Sequence, residues 1–468
     1  MSSNKISRRE LLQATALTGA GLLLGGNTLG ALAQDKPPEQ DLPVSVKGKL
    51  TVIHRTEYFE PATNAFREQV VEFAKAKGAE LDISTTNPEA FGDFLGKMTA
   101  AVKAGNPPDF AYTSNVSIPQ LHLLDLVEDV SDVVAEAEKR YGAIMPGINA
   151  AATARFDGKW AAVPYLATFT GRFARADKLK EKGIDPASLK TWSDRREAAL
   201  AISDPANGFY GWGMTTNKGG DGWGVCSDVL LAFGGHFTDE TGQIVQFNSP
   251  ETVAAFEWFV ETYDRNGKYA AMLPPGVESW TDTGNNEAWL AGSIGYTQNA
   301  FSVYGASKKD HPDLFKNMIV MGAPQANNGD SRSGGNVGGW LTVMKGAPNA
   351  DVAKELILDL LDPAKFGKIA AVGGGLFMPA YQNLWTDELL AVDPNFKIIQ
   401  QEVSVADPFI GASWPAKPNA LVDAIRSQSI LEQAVGNAIS KRMSAADAVK
   451  DAHDKIVQLF EESGIMQP

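Results

Sequence analysis

Hydrophobic and polar residues follow two periods along this chain, one typical of strands and the other typical of helices. The segment Lys49-Leu50-Thr51-Val52-Ile53 has the period of a strand. A helical stripe follows from about residue 63, with Phe66, Val70 and Phe73 as its apolar residues. A second alternating segment comes next, with Leu81 and Ile83 as its apolar residues. This order predicts a βαβ unit.

The same alternation of element types continues beyond this unit. A second helix, expected over residues 91–104, precedes a strand-like segment at 109–112. Strands that alternate with helices predict an α/β fold with mainly parallel sheets, and ligands of such sheets bind beyond the carboxyl ends of the strands. Those ends carry Glu57 and Tyr58 in one case and Thr113, Ser114 and Asn115 in the other.

Local signals place further elements in the second half of the chain. Residues 236–245 predict two short strands joined by a glycine-containing turn. Ser249 and Pro250 are typical of the start of a helix, which we expect to continue until Gly267. Ser444 and Asp447 have capping spacing, and the apolar stripe after them consists of Ala448, Ala452, Ile456 and Leu459. We assign these helices to the core.

The first residues have the pattern of an export signal. The paired Arg8 and Arg9 precede an uncharged, glycine-rich run, which ends at the small-residue cleavage site Ala31-Leu32-Ala33. Residues 1–33 are therefore interpreted as a twin-arginine signal peptide, and residues 34–46 as a linker. A retained membrane anchor is the alternative, but the glycines lower the hydrophobicity of the run below that of a typical membrane-spanning helix. We expect a soluble mature protein in the periplasm, with no membrane insertion after cleavage.

Composition narrows the possible functions. The formal net charge of −14 disfavours binding to nucleic acid through its phosphates. Cys226, the only cysteine, stands in an apolar stretch and is expected to be a buried small hydrophobe. The five histidines are scattered, and no metal-binding or phosphate-loop motif is present in the sequence. We therefore expect no cofactor, no metal site and no catalytic residue.

Several segments in order along the chain resemble one known family. They include the Gly-Lys-Trp-Ala-Ala-Val-Pro core of residues 158–178, the Ala-Trp-Leu-Ala-Gly-Ser-Ile-Gly run of 285–299, and residues 50–57, 109–115, 237–267 and 335–361. Together with the closing helix, they are similar to the extracellular solute-binding proteins of ABC importers, the group that contains maltose-binding protein. The resemblance covers nearly the whole chain after the signal.

The resemblance implies a type II-like periplasmic-binding-protein fold with two α/β lobes and a ligand cleft between them. The first lobe would comprise residues 47–165 and 340–373, and the second lobe residues 170–336 and 378–468. Hinges would fall near 165–170, 337–342 and 373–378. The family also implies a monomer that binds a small molecule, closes on it and delivers it to membrane permease subunits.

A sugar needs carboxylate, amide or indole partners for its hydroxyls and aromatic rings for its C–H faces. By family position, Trp223 is the best stacking candidate and Asp221 a hydroxyl acceptor, both within the glycine-rich segment 218–224, which we expect to be flexible. Trp340 and Gly374 stand where the chain is expected to cross between the lobes. The expected ligand contacts are Glu57, Tyr58, Ser114, Asn115, Asp221, Trp223, Trp280, Asn299, Trp340 and Gly374.

Three alternatives to a sugar receptor stay open at the level of sequence. The first alternative is a receptor of the same fold for another ligand class, such as a polyamine, a phosphate ester or a metal cation. The acidic candidates suit a polyamine, and the aromatic ones would bind it through cation–π contacts. An exported glycoside-processing enzyme with two carboxylates is the second. A purely structural secreted protein is the third.

Overall fold

The computed structural model describes residues 46–86, 91–113, 116–325, 335–393, 395–406 and 411–468. The predicted signal peptide, nearly all of the predicted linker, and the candidates Ser114 and Asn115 lie outside the described residues. The chain forms two compact units. The first comprises the described residues up to Ala167 together with Asn336–Gly373 and Phe377–Gln400, and the second comprises Thr168–Gly335, Gly374–Leu376 and Gln401–Pro468.

Strands and helices alternate along much of the chain. The strands are β1 (Lys49–Arg55), β2 (Glu80–Thr86), β3 (Phe110–Thr113), β4 (Arg155–Phe156), β5 (Lys159–Trp160), β6 (Val163–Thr168), β7 (Gly171–Arg175), β8 (Tyr210–Trp212), β9 (Ile294–Asn299), β10 (Met318–Met321), β11 (Asn336–Val343) and β12 (Met378–Pro379).

The α-helices are α1 (Glu60–Ala76), α2 (Phe91–Lys103), α3 (Ile118–Leu123), α4 (Ser131–Tyr141), α5 (Ala150–Ala154), α6 (Ala176–Glu181), α7 (Trp192–Ile202), α8 (Gly220–Ala232), α9 (Pro250–Tyr263), α10 (Gly284–Leu290), α11 (Ser302–Asp310), α12 (Pro312–Lys316), α13 (Ala350–Leu360), α14 (Pro363–Val372), α15 (Asp387–Val392), α16 (Phe396–Val403), α17 (Ala420–Ser427), α18 (Ile430–Ile439) and α19 (Ala445–Glu462).

The first unit contains a six-stranded sheet with the order β12-β6-β11-β3-β1-β2. Strand β1 pairs in parallel with β2 and β3, whereas β11 is antiparallel to β3 and β12 is antiparallel to β6. The core of this sheet contains the apolar residues Leu50 and Val52 of β1, Phe110 of β3 and Leu341 of β11. Helix α1 covers it with Phe66, as its apolar stripe predicts.

The second unit contains a four-stranded sheet with the order β10-β7-β9-β8. Strand β7 is antiparallel to both β10 and β9, and β8 is parallel to β9. Three indoles, those of Trp192, Trp212 and Trp258, pack edge to face beside this sheet. Such edge-to-face contacts are favoured by the quadrupoles of the rings.

The predicted α/β class with two units is confirmed, but the sheets are mixed rather than mainly parallel. The reason is that apolar residues alternate with a period of two in parallel and antiparallel strands alike, so the pattern does not distinguish the two strand directions. The sequence also assigned residues 378–400 to the second lobe, whereas Phe377–Gln400 belongs to the first unit. This difference arises because β12 pairs with β6 through Met378 and Ala167, a contact that no local pattern encodes.

Several local predictions are confirmed. Ser249 caps α9 by accepting a hydrogen bond from the Thr252 amide, and Ser444 caps α19 through the Asp447 amide. The predicted stripe of α19 is buried along its whole length. Helix α9 ends at Tyr263, before Gly267, and the expected hairpin at 236–245 is reduced to a single bridge between Thr238 and Val245. Among the described residues, no helix is both long enough and apolar enough to cross a membrane.

Candidate functional site

The first unit places a buried ion pair at the carboxyl end of β1. Arg55 donates from Nε to Glu57 Oε2 over 2.8 Å and from Nη2 to the same oxygen over 2.5 Å. The Glu57 side chain is only 4% exposed and that of Arg55 12%. Glu57 is therefore a buried partner of Arg55 and not the solvated side chain of a loop.

Buried hydroxyl groups surround this ion pair. Tyr112 lies under the Arg55 guanidinium, with 5.5 Å between the guanidinium carbon and the ring centroid, and Tyr165 packs edge-on against Tyr112. Burial lowers the pKa of Arg55, but Tyr112 and Glu57 raise it by more, so the guanidinium stays charged. Burial, followed by the nearby Glu57 carboxylate, raises the pKa of Tyr165.

The hydroxyl of Tyr165 has no hydrogen-bond partner among the described residues. We call Arg55, Glu57, Tyr112 and Tyr165 the Arg55 cluster. Because buried hydroxyl groups nearly always form hydrogen bonds, the unpartnered one identifies this cluster as a candidate polar site. The hydroxyl of Thr113, at the end of β3, also lacks a partner among the described residues, but Thr113 follows Tyr112 in the strand and therefore faces the other side of the sheet.

The other sequence candidates of the first unit differ in exposure. Tyr58 is 47% exposed and contacts Phe59 edge to face, so about half of its surface is accessible. Trp340 is buried in β11, in register with Thr113 of β3. Trp340 therefore lies beside Thr113 in the sheet, whereas Tyr58 lies on the surface.

The second unit surrounds Asp221 with buried amide groups. Asp221 Oδ2 accepts hydrogen bonds from Asn285 Nδ2 over 2.9 Å and from Asn299 Nδ2 over 3.1 Å. Asn299 also donates to the side-chain oxygen of Asn286, and its own oxygen accepts from the hydroxyl of Ser302. We call Asp221, Asn285, Asn286 and Asn299 the Asp221 network. Two sequence candidates, Asp221 and Asn299, are therefore in direct contact.

The glycine-rich segment before Asp221 is ordered by a side chain from elsewhere in the unit. Asp282 accepts hydrogen bonds from the backbone amides of Gly220 and Asp221 over 2.8 and 3.0 Å. These amides open α8, and a carboxylate at a helix N-terminus is favoured by the unpaired N–H groups and the helix dipole. The expectation of a flexible segment at 218–224 is therefore wrong.

Trp223 lies inside the first turns of α8, and its ring stacks on Phe237 with 5.7 Å between centroids. It is 8% exposed, so most of its surface packs within the unit. Trp280 is half-buried and lies against Gly284, where an added Cβ would be 2.8 Å from Trp280 Cβ. Trp289 is buried in the core of the unit.

Gly374 has a φ of +55°, and a Cβ added there would be 2.8 Å from the Cα of Gly305. Both the backbone angle and the close approach require glycine at this position. The residue therefore has a structural reason for its identity, and its role towards a ligand stays a prediction.

Sequence reasoning missed a second polar network in this unit. Arg172 donates from Nη2 to Asp228 Oδ2 over 2.7 Å and from Nε to the side-chain oxygen of Gln298 over 3.0 Å. Gln298 in turn donates to Asp228 Oδ2 over 3.1 Å. The available signal was the helical spacing between Asp221 and Asp228, which places both carboxylates on one face of α8.

The sequence also gave no indication of the buried acid Glu432 on α18. Burial raises its pKa to about 7, and in the described part of the chain its Oε2 has no hydrogen-bond partner. The charged groups around it are Arg426, Lys218 and Asp282. Cys226 is buried and its pKa is raised by burial, as expected for a small apolar side chain.

A pocket of about 490 Å³ lies elsewhere in the second unit, lined by residues of the segments 186–195 and 319–325. None of the eight sequence candidates among the described residues lines it. In the part of the chain that the structure describes, no three His, Cys, Asp or Glu side chains are grouped so that they could hold a metal ion.

One family profile matches most of the chain. The profile of the family described as bacterial extracellular solute-binding protein matches residues 68–397. A curated relative, the mannitol-binding protein of Pseudomonas aeruginosa, is 29% identical over 122 residues, which are 25% of this chain and 26% of that protein. The matched segment thus spans about a quarter of that relative.

Solved structures of similar fold cover most of the chain. Maltose-bound MalE3 of T. maritima matches with a TM-score of 0.72 and 20% identity, over 87% of this chain and 99% of that one. A solute-binding protein of Agrobacterium vitis with bound D-mannitol matches with a TM-score of 0.70 and 18% identity, over 89% and 99%. At these identities the likeness establishes the fold. Because the family profile covers more than half of the chain, the protein belongs to the bacterial extracellular solute-binding proteins.

Proposed function

We propose that this protein is the substrate receptor of an ABC importer and that it binds a sugar or a sugar alcohol for delivery to the membrane permease. Support for the ligand class comes from the relatives, which include a mannitol-binding protein and structures with maltose, ribitol and D-mannitol. Support from the chain itself comes from its two polar clusters, the Arg55 cluster and the Asp221 network.

The Asp221 network is the observation that carries this proposal. A carboxylate accepts hydrogen bonds from hydroxyl groups, while the amides of Asn285 and Asn299 hold Asp221 in a fixed orientation. Specific recognition of small molecules depends on a few such preorganised polar groups. A half-buried indole, Trp280, follows the short helical turn Val277–Ser279 and lies two residues before Asp282; it supplies a ring of the kind that packs on C–H faces.

Charged ligands fit the two clusters less well. A phosphate ester needs an arginine or lysine free to bind it, but Arg55 is paired with Glu57 and Arg172 with Asp228. A polyamine needs several carboxylates whose charge is not compensated; the same pairs compensate Glu57 and Asp228, and Asp221 already accepts hydrogen bonds from two amides. We therefore favour a neutral ligand over the two charged classes.

We further propose that the ligand leaves the protein unchanged, that the protein acts as a monomer, and that it is exported to the periplasm by the twin-arginine signal at Arg8 and Arg9. Membership of an extracellular family supports the export, and the relatives are solute-binding proteins. The ligand cleft between the lobes, expected from the sequence, stays a prediction.

Isothermal titration calorimetry tests the proposal. The purified protein is titrated with D-mannitol, ribitol and maltose, and with spermidine and D-mannitol 1-phosphate as charged comparators. We expect binding of at least one neutral compound with one site per chain, and chromatography of the mixture should recover that compound intact. Binding of only the charged compounds, or conversion of the ligand to a product, would contradict the proposed function.

A further inference from the structure

Helix α8 is buried on every side except one narrow stripe. From Gly222 to Ala232 all of its residues are buried apart from Gly224 and Asp228, and Asp221 in the first turn is also partly exposed. Residues three, four and seven positions apart lie on the same face of a helix. Asp221, Gly224 and Asp228 therefore form one accessible stripe, which we call the α8 stripe.

The carboxylate of Asp228 is held in one orientation by two buried side chains. Both Arg172 and Gln298 donate to its Oδ2, and the Arg172 guanidinium is fixed further by a bond from Nη1 to the Thr170 carbonyl oxygen over 2.8 Å. Among the described residues, none donates a hydrogen bond to Oδ1 of Asp228. The side chain is 28% exposed. Asp228 thus presents one oriented acceptor oxygen at the accessible face of the helix.

Gly224 leaves the middle of the stripe without a protruding side chain. It has no side chain, and a Cβ added there would contact only the Gln298 side-chain nitrogen, at 3.4 Å. With a rise of 1.5 Å per residue, Asp221 and Asp228 are about 10 Å apart along the helix axis. The stripe consequently has a carboxylate group at each end and the side-chain-free Gly224 between them.

The two carboxylates of the stripe are stabilised in different ways. Arg172 compensates the charge of Asp228, while Asp221 is held by the neutral amides of Asn285 and Asn299 in the first turn of α8, where the helix dipole favours a negative charge. An anion would be repelled by the two carboxylates, and a cation would gain little from Asp228, which is already paired with Arg172. Hydroxyl groups are the ligand chemistry that such acceptors favour.

We propose that the α8 stripe binds the hydroxyl groups of a neutral polyol or sugar, with Asp228 as a specificity-determining residue. This assignment rests on the proposed function and identifies the part of the second unit that recognises the ligand. Asp228 accepts a hydrogen bond from a ligand hydroxyl through Oδ1, while Arg172 and Gln298 act as positioning residues that keep this oxygen accessible.

The variant Asp228→Asn tests the assignment. The asparagine keeps the size of the side chain but loses the charge, so the hydrogen bond from the ligand weakens, and we expect about 10- to 100-fold weaker binding of D-mannitol, ribitol or maltose, whichever the wild type binds. A second variant, Gly224→Leu, covers the stripe with an apolar side chain and should abolish binding. Leucine is a better helix former than glycine, so this variant should fold at least as well as the wild type.

Asp177→Asn is the matched control. Asp177 pairs with Arg175 of the same strand that carries Arg172, with 2.6 Å between Nη2 and Oδ2, and its side chain is 26% exposed. We expect less than about threefold change in affinity for this variant. Circular dichroism melts of all three variants establish that they are folded.

The outcomes separate the two proposals. Wild-type affinity in both Asp228→Asn and Gly224→Leu would overturn the stripe assignment while leaving the proposed function standing. A wild type that binds no neutral compound would overturn both. Loss of binding in Asp177→Asn equal to that in Asp228→Asn would also contradict the assignment, because the effect would then not be specific to the stripe.

Discussion

Replacing Glu432 by glutamine should remove a large part of the pH dependence of the stability of the second unit. Glu432 is 4% exposed, and its burial raises the pKa of the folded state to about 7, against an ordinary value of 4.5. The groups that face it are Arg426, Lys218 and Asp282, together with the thiol of Cys226. The positive charges do not offset the cost of burying the carboxylate.

The sign of the effect follows from linkage. Below pH 4.5 the carboxyl is protonated in both folded and unfolded states, so the stabilising contribution is fully present. As the pH rises towards 7, the unfolded chain ionises while the folded one stays protonated, and the free energy of unfolding falls by about 1.4 kcal/mol per pH unit. The contribution is lost above pH 7. Between pH 5 and pH 8 the wild type should lose about 2 to 3 kcal/mol through this group.

Urea unfolding of wild type and Glu432→Gln at pH 5 and pH 8 measures this loss. Tryptophan fluorescence reports mainly on the second unit, which holds seven of the ten tryptophans. The steric cost of the glutamine is the same at both pH values and cancels in the comparison. The matched control is Glu257→Gln, an exposed glutamate on α9 of the same unit.

We expect the stability difference between Glu432→Gln and wild type to change by about 2 to 3 kcal/mol in favour of the variant from pH 5 to pH 8. The control should change by less than about 0.5 kcal/mol. An unchanged difference for Glu432→Gln would refute the reasoning, because it would mean that Glu432 ionises in the folded state as readily as in the unfolded chain.

Two further substitutions, each with a control, test the Arg55 cluster and the packing of α8. Glu57→Gln leaves the buried Arg55 without a carboxylate partner and should lower the free energy of unfolding by about 3 kcal/mol. Its control, Glu80→Gln, breaks a half-exposed pair with Lys49 and should lower it by less than about 1 kcal/mol; equal urea midpoints for the two variants would contradict a buried ion pair. Gly222→Ala places a Cβ 1.7 Å from a backbone carbonyl oxygen and should lower the melting temperature, whereas Gly224→Ala should be neutral or stabilising by up to about 1 kcal/mol; the opposite ranking would contradict the described packing of α8.

The elements whose signals are local could be predicted from sequence. Ser444 and Asp447 mark the start of α19, and the stripe after them is buried because helical spacing alone decides which residues share a face. Ser249 and Pro250 mark α9 in the same way. Strand directions could not be predicted, since the apolar period of β11 is the same whether it runs parallel or antiparallel to β3.

The candidate site was only partly predictable, because its side chains meet over long sequence separations. Asp221 and Asn299 were both identified, but their contact and the order of the glycine-rich segment depend on Asp282 and Asn285, which come from another part of the chain. Glu57 was identified as a ligand contact, and its pairing with Arg55, two residues away, could have been suspected from their charges.

Residues missed altogether share a different property. Asp228 acquires its orientation from Arg172, 56 positions earlier in the chain, and Glu432 acquires its raised pKa from burial. Neither burial of a single polar side chain nor a distant ion pair leaves a periodic signal in the sequence. Helical spacing could have placed Asp228 on the face of Asp221, but the environments of both missed residues become visible only once the fold has brought the elements together.

Native mass spectrometry of the protein purified from its own host tests the central claim most directly. We expect a monomer carrying one neutral polyhydroxylated compound, which is released unchanged on denaturation and rebinds to the emptied protein. A phosphorylated or amine ligand in its place, or a compound that the protein converts on rebinding, would contradict the account.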